Sequence, residues 1–420
     1  MKIKNQKSEI KIICLGSFLV FAVLAAPVFA QEYQPSLLVY PPFGHSLGFH
    51  KAGTFYLKLL LGWGARFEDP QGIACVRLKE TDDPGTGDDD DDVTVYMVNS
   101  GRHQIIYNQG LSGLKSFGQM GSGPGELHTP RGIAATEDGK VYVADMNNNR
   151  VVSLQSRKGS LKFRVVIYDS LGTQTFSFGG EGILDEPFGI AVQGFGDRWT
   201  FFKETAIAVA DSICARIQKF DQQGRLVARI ANADIGLPGA YFSHLALDYF
   251  GNLYATDMIN HQVHKFDRNL KYVAGFGRKG LEEKEFESPR GIAIWKRFGQ
   301  VFIMERESAQ YYWIGIDGYI KQVSPPVIDS LRPGATIVLQ LYEPADLNIQ
   351  ILDSLNQPVR QLLNEFREKL GENFLIWDGE DDQGKPAPAG EYTISVTMAP
   401  TYSAKGYFTK TVTAKVRKAD

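Results

Sequence analysis

Cysteine is scarce, with three in 420 residues. Cys14 lies in the first apolar stretch, while Cys75 and Cys214 fall in different segments that need not meet, so a disulfide framework is excluded as a source of stability. A basic excess is also missing: 45 Lys and Arg stand against 48 Asp and Glu, a formal net charge of −3, which argues against a nucleic-acid partner. The apolar run from Ile12 to Ala26 is too short to span a bilayer comfortably and is interrupted by Gly16 and Ser17. The chain has no Gly-x-Ser-x-Gly elbow, no phosphate-cradling glycine loop and no Cys-x-x-Cys pair, which excludes the chemistries those devices serve.

The N-terminus reads as a secretory signal peptide over residues 1–30. Lys2, Lys4, Lys7 and Lys11 precede the apolar run, and Val28 and Ala30 flank a cut before Gln31. Cys14 sits at the start of that run, where a lipoprotein signal would carry its cysteine at the end. Cleavage would remove four lysines and Glu9 and leave the mature chain at −6. An exported protein is expected, periplasmic, extracellular or at the cell surface, without stable membrane insertion.

What the chain does have is 43 glycines, 12 % aromatics and abundant Val and Ile, the composition of many short strands joined by tight turns. An all-β fold follows. A unit recurs five times: PQGIA at 70–74, PRGIA at 130–134, PFGIA at 187–191, FSHLA at 242–246 and PRGIA at 289–293. Each is followed by a run ending in Asn99, Asp145, Asp211, Asp257 or Glu305. Pro presets the entry, Gly permits close backbone approach, and the next few residues form a short strand nearest a central axis. Phe117-Gly118, Phe178-Gly179 and Phe276-Gly277 close units. One unit alone cannot bury both faces of its sheet, so the copies must stack.

PRGIA followed by DGKVYVADMNNNR and linked through Phe-Gly resembles NHL-repeat β-propellers over residues 67–323, within a domain expected at 31–324. That resemblance implies six blades, the sixth built from residues 32–66 and closed near Tyr319–Val323, or else five with an N-terminal plug. Residues 51–62 fit either a short helix or a closing strand. Insertions at 79–93, 152–162 and 193–204 are expected as loops, where function concentrates. The first carries Asp88–Asp92, which lacks the alternate-residue ligands and turn glycine of an EF-hand, so it reads as a solvated acidic loop. No cofactor is expected, with calcium the one ion considered.

Beyond Ser324-Pro325-Pro326 the pattern changes to strict alternation, with Ile337, Leu339 and Leu341 on one face and Leu347, Ile349 and Ile351 likewise. This predicts a β-sandwich over 327–420. Trp377, Asp378, Gly379, Gly384, Gly390 and Tyr392 make the segment similar to the Ig-like domain of flagellar hook-capping proteins, without implying a flagellar role.

Antiparallel pairing puts each blade opening beside the end of the next strand, so Gln71, Arg131, Phe188, His244 and Arg290 are expected at the mouth of the channel, near Ser243. Asn99, Asp145, Asp211, Asp257 and Glu305 are expected to cap turns rather than bind calcium. Related rings include amidating lyases and calcium-dependent lactonases. The lyases' zinc histidines directly follow the blade-opening proline, where this chain has Gln71, Arg131, Phe188, Ser243 and Arg290. His261 and His264, three apart on one expected strand, point to opposite faces. The expectation is therefore a non-enzymatic binding or scaffold protein for a protein, peptide or glycan, against a rival metal-dependent lyase or hydrolase at the channel mouth.

Overall fold

The computed structural model describes residues 35, 37–42, 50–78, 93–108, 113–121, 126–135, 141–145, 164–168, 174–179, 184, 187–211, 215–404 and 406–419. The expected signal peptide over residues 1–30, Asp88–Asp92, the insertion at 152–162 and Cys214 lie outside them. Asp145 and Phe188 are placed by their backbone alone.

The described chain is a propeller-type array of antiparallel sheets followed by an Ig-like sandwich. In the first unit Pro70–Arg77, Val93–Asn99, Gln104–Asn108 and Leu114–Phe117 pair in chain order. The third and fourth units repeat this with Pro187–Gln193 through Leu226–Ala231 and Phe242–Leu247 through Tyr272–Phe276. The second unit contributes two strand pairs, Pro130–Ala135 with Val141–Asp145 and Arg164–Tyr168 with Gln174–Gly179.

Residues 38–39 and 51–52 do not build a sixth sheet. Leu38–Val39 and Lys51–Ala52 both pair with Ala309–Ile314, completing the outer edge of the fifth sheet, whose inner strand is Ile292–Trp295. The helix Thr54–Leu61 follows at once, its Leu57 buried. Among the described residues there are five such units, and the fifth meets the first: Phe302, Met304, Tyr311 and Trp313 share a core with Val93, Val95 and Met97. The strand expected to close the ring near Tyr319–Val323 belongs elsewhere, because Gly318–Ser324 pairs with Ala335–Leu341. Its alternating apolar residues find their complementary face in the sandwich, which therefore begins before the linker.

Hairpins in both regions are built by one local device. Asp221 Oδ1 accepts the N–H groups of Gln223 and Arg225, both at 2.9 Å, while Gly224 takes φ +71°. Asp248, Asp267, Asp353 and Asp381 do the same for their own turns. The short acidic side chain supplies acceptors where the strand ladder stops.

In the sandwich a three-stranded and a five-stranded sheet face each other. Ile337, Leu339 and Leu341 meet Leu347, Ile349 and Ile351 in one core, as the alternation requires. Trp377 is fully buried there, packs edge-on to Tyr392 at 4.9 Å and donates Nε1–H to the Glu380 carbonyl at 3.0 Å. Tyr392 ties its hydroxyl to the Pro388 carbonyl at 2.6 Å.

The sandwich docks on the fourth and fifth units. Lys265 Nζ, fully buried, meets the Glu343 carboxylate, which also accepts the Tyr254 hydroxyl at 3.2 Å. Burial pushes the Glu343 carboxyl up, to about 8, against the pull of Lys265. Tyr402 stacks on Tyr249 at 5.1 Å and donates to the Lys296 carbonyl at 2.5 Å. The insertion at 193–204 serves this junction too, with Phe201 against both Phe250 and Phe366 and Asp197 paired to Lys296 at 2.8 Å. Among the described residues no helix is long and apolar enough to cross a membrane.

Candidate functional site

Four of the five repeats open with a β-bulge. The register slips between Pro70 and Ile73, Pro130 and Ile133, Pro187 and Gly189, and Phe242 and Leu245. A bulge turns the intervening residues out of the ladder and re-aims them, here toward the axis. At three of the repeats the glycine at this position is required by close approach. A Cβ at Gly72 would lie 2.7 Å from the Arg131 carbonyl oxygen, at Gly189 2.3 Å from that of Ser243, and at Gly291 2.5 Å from that of Gln71. Neighbouring inner strands are thus pressed backbone to backbone. In the fourth unit His244 occupies the glycine position, so it contributes a side chain where the others have none.

These strands enclose a channel of about 620 Å³ lined by Gln71, Arg131, Ile133, Ile190, His244 and the glycines at 72, 132, 189 and 291. Three of the expected mouth residues, Gln71, Arg131 and His244, therefore come together. Arg290, beside Gly291, joins them through a residue that the repeat pattern did not single out. Asp69 Oδ1 accepts from Arg290 Nη1 and, at 2.8 Å, from Gln71 Nε2, while Arg131 Nη1 lies 3.5 Å from Asp69 Oδ2. Arg290 Nη1 also donates to the Pro70 carbonyl at 3.0 Å. The side chain of Phe188 falls outside the described atoms.

Asp69 has φ +47°, as do Thr129 and Ser288, the residues before Pro130 and Pro289, at +56° and +52°. This left-handed position is strained for most side chains and easiest for glycine, Asn and Asp. Of these three, only Asp69 brings a carboxylate. Its mark in the sequence is a single acidic residue before the repeat's proline, at a position where the other copies carry different residues.

Burial pushes His244 down to about 4, and the positive charge of Arg290 adds to this, so the imidazole is neutral at physiological pH. Ser243 shares a 3.0 Å hydrogen bond with Thr256, whose hydroxyl donates to the Arg290 carbonyl at 2.7 Å and fixes the strand carrying that arginine.

Asn99, Asp211, Asp257 and Glu305, four of the residues that end the second strands, are occupied within their own units. Asn99 accepts the Glu68 N–H at 2.7 Å and donates to the Arg66 carbonyl at 2.8 Å. Glu305 accepts the Glu287 N–H at 2.6 Å and Gln310 Nε2 at 2.8 Å. Asp211 takes Arg216 at 2.7 Å. Burial pushes Asp257 up, but hydrogen bonds from His264 and Asn260 and from the N–H of Tyr241 outweigh it and hold the carboxyl below its usual value.

His264 lies in Gln262–Phe266, but His261 precedes that strand at φ +58°, so the two do not share a strand as expected. His261 Nδ1 accepts the Ser288 N–H at 2.9 Å, and His103 Nδ1 does the same for Thr129 at 2.9 Å. These histidines staple one unit to the next. Burial pushes the Cys75 thiol up to about 12, far from thiolate chemistry. Among the described residues no group of three or more His, Cys, Asp or Glu is placed to hold a metal ion.

The NHL repeat family matches residues 127–152, and the FlgD Ig-like domain family matches residues 328–401. No curated protein matches the chain. Among solved structures it is similar to virginiamycin B lyase from Staphylococcus aureus at 13 % identity and TM-score 0.26, over 54 % of this chain and 69 % of that one. It is similar to a gluconolactonase from Xanthomonas campestris at 11 % identity and TM-score 0.36, over 60 % and 88 %. It is also similar to PorZ, a surface component of the type-IX secretion system of Porphyromonas gingivalis, at 12 % identity and TM-score 0.32, over 87 % of this chain and about half, 54 %, of that protein. The expectation of a non-enzyme is corrected by these matches, since two of the three are enzymes. A propeller gathers its site from several blades, so no contiguous catalytic motif need be present in the sequence. At these identities and TM-scores the likenesses assign no reaction.

Proposed function

We propose that the chain is an exported protein that binds a protein, peptide or glycan at the channel mouth formed by Gln71, Arg131, His244 and Arg290. The NHL-type propeller fold suggests a binding or scaffold role, and one observation carries the assignment of the site. Side chains from four separate repeats converge at the end of one channel, with two guanidinium groups on its rim. Loops held by a rigid scaffold are where recognition concentrates. The sandwich, fixed through Lys265, Glu343 and Tyr402, holds that rim in a constant orientation relative to its own free face.

The test is a peptide-library and glycan-array screen with the full chain, repeated with Arg131→Glu and Arg290→Glu together. Ligands lost by a variant that keeps its unfolding midpoint support the mouth. Ligands retained by it overturn the reading. Export is tested by N-terminal sequencing of protein secreted from a bacterial host, which should begin at Gln31; an intact Met1 terminus overturns it.

A further inference from the structure

We propose that Asp69 is an internal stand-in for a carboxylate of the ligand, so that the channel mouth recognises a carboxylate-bearing molecule which displaces Asp69 from Arg131 and Arg290. This rests on the mouth being the binding site and names the chemistry it selects.

The residues describe a receptor for a planar anion that is already filled by one. Guanidinium groups from two different repeats, together with the Gln71 amide, converge on a single carboxylate. Among the described residues Arg131 Nε and Arg290 Nε are buried with no hydrogen-bond partner, so each fork has donor capacity that Asp69 leaves unused. A guanidinium offers its donors in a rigid planar array matched to two-oxygen acceptors, so a carboxylate that displaces Asp69 takes over its Nη–H contacts and gains the buried Nε–H as the side chain turns toward it. The local charge favours the same ligand. Two cations share one anion, and His244, held neutral beside Arg290, adds neither a competing charge nor a repelling one.

Asp69 is also poorly placed to resist exchange. Its side chain is 40 % exposed, with Arg131 at 41 % and Arg290 at 22 %, so water already reaches the carboxylate and screens its pairing. Its left-handed backbone is a further reason for the segment to give way. A ligand carboxylate enters along a channel wall that Gly72, Gly132, Gly189 and Gly291 help to line.

The experiment is a titration of the full chain with glutarate, with glutaramide, which is nearly isosteric but uncharged, and with inorganic phosphate, read by calorimetry and by the shift in unfolding midpoint. Glutarate should bind and stabilise, glutaramide should not, and phosphate should bind more weakly than glutarate. Arg131→Ala and Arg290→Ala should each weaken glutarate about tenfold. Asp69→Asn should do the opposite and tighten it about fivefold, because the internal competitor has gone. Asp69→Gly removes the carboxylate while relieving the backbone, and should tighten binding equally even if the Asn variant folds poorly. Weaker or unchanged glutarate binding in Asp69→Gly overturns the proposal, as does equal binding of glutaramide or tighter binding of phosphate. Those results leave the mouth reading intact if the double arginine reversal still removes neutral peptide or glycan ligands.

Discussion

Two of the carboxylates that meet cationic side chains from distant parts of the chain do opposite things. Glu343 meets Lys265 at the junction of the fourth repeat with the sandwich, where both are buried and Tyr254 closes the group. Asp69 meets Arg131 and Arg290 at the channel mouth, where it is 40 % exposed and the arginines retain unused donors. The same pairing is a fastener in the first place and an exchangeable contact in the second. Desolvation makes the difference: a buried partner cannot be removed without leaving an uncompensated charge, whereas a half-exposed one is replaced by water or by another anion.

The largest expected effect comes from breaking the fastener. Lys265→Met should lower the unfolding free energy by about 3–5 kcal/mol in urea titrations carried out well above the folded Glu343 value, where the carboxylate is charged and unpaired. The loss should grow with pH. Burial already pushes Glu343 up to about 8 with Lys265 present, so in the variant the stability is fully present below the unfolded carboxyl value and is lost as pH rises through the folded one. A loss of less than about 1 kcal/mol, typical of an exposed pair, would erase the contrast between the two sites.

His244 gives the next effect and belongs to the mouth. Its folded value of about 4 lies below the unfolded 6.5, so the unfolded chain takes up a proton first as pH falls. Stability should be full above about 6.5 and decline by about 1–3 kcal/mol as pH drops toward 4. His244→Gln should flatten that slope, and a slope that survives the substitution would place its origin elsewhere. The smallest effect is Asp69→Ala, which should change stability by no more than about 1 kcal/mol while altering anion binding. A larger stability loss would make Asp69 a fastener like Glu343.

Much of this was written in the sequence, and the particular residues show why. The repeat PxGIA fixed the inner strands, and the glycines at 72, 189 and 291 were legible because a Cβ there would lie 2.3–2.7 Å from a neighbour's carbonyl oxygen. Alternation at Ile337, Leu339, Leu341, Leu347, Ile349 and Ile351 named the sandwich core before any coordinate did. The acidic and amide ends of the second strands were legible as turn caps from their uniform position, and Asn99, Asp257 and Glu305 hold backbone N–H groups in that way. The fate of residues 38–39 and 318–324 was not legible, because a short apolar strand pairs equally well with any open edge of suitable register. Asp69 was missed for a related reason: its position in the repeat carries different residues in each copy, so periodicity gives it no weight.

The sequence by itself determined what is local and repeated: strand periods, bulges, Asx turns and the apolar faces that had to stack. These follow from backbone sterics and hydrogen-bond accounting within a few residues. Only the tertiary structure decided which edges pair, how the sandwich sits on the propeller, and that Asp69, Arg131 and Arg290 share one point in space. Those depend on side chains from residues 69 to 343 meeting across the fold, and a meeting set by geometry over such separations leaves no local mark in the chain.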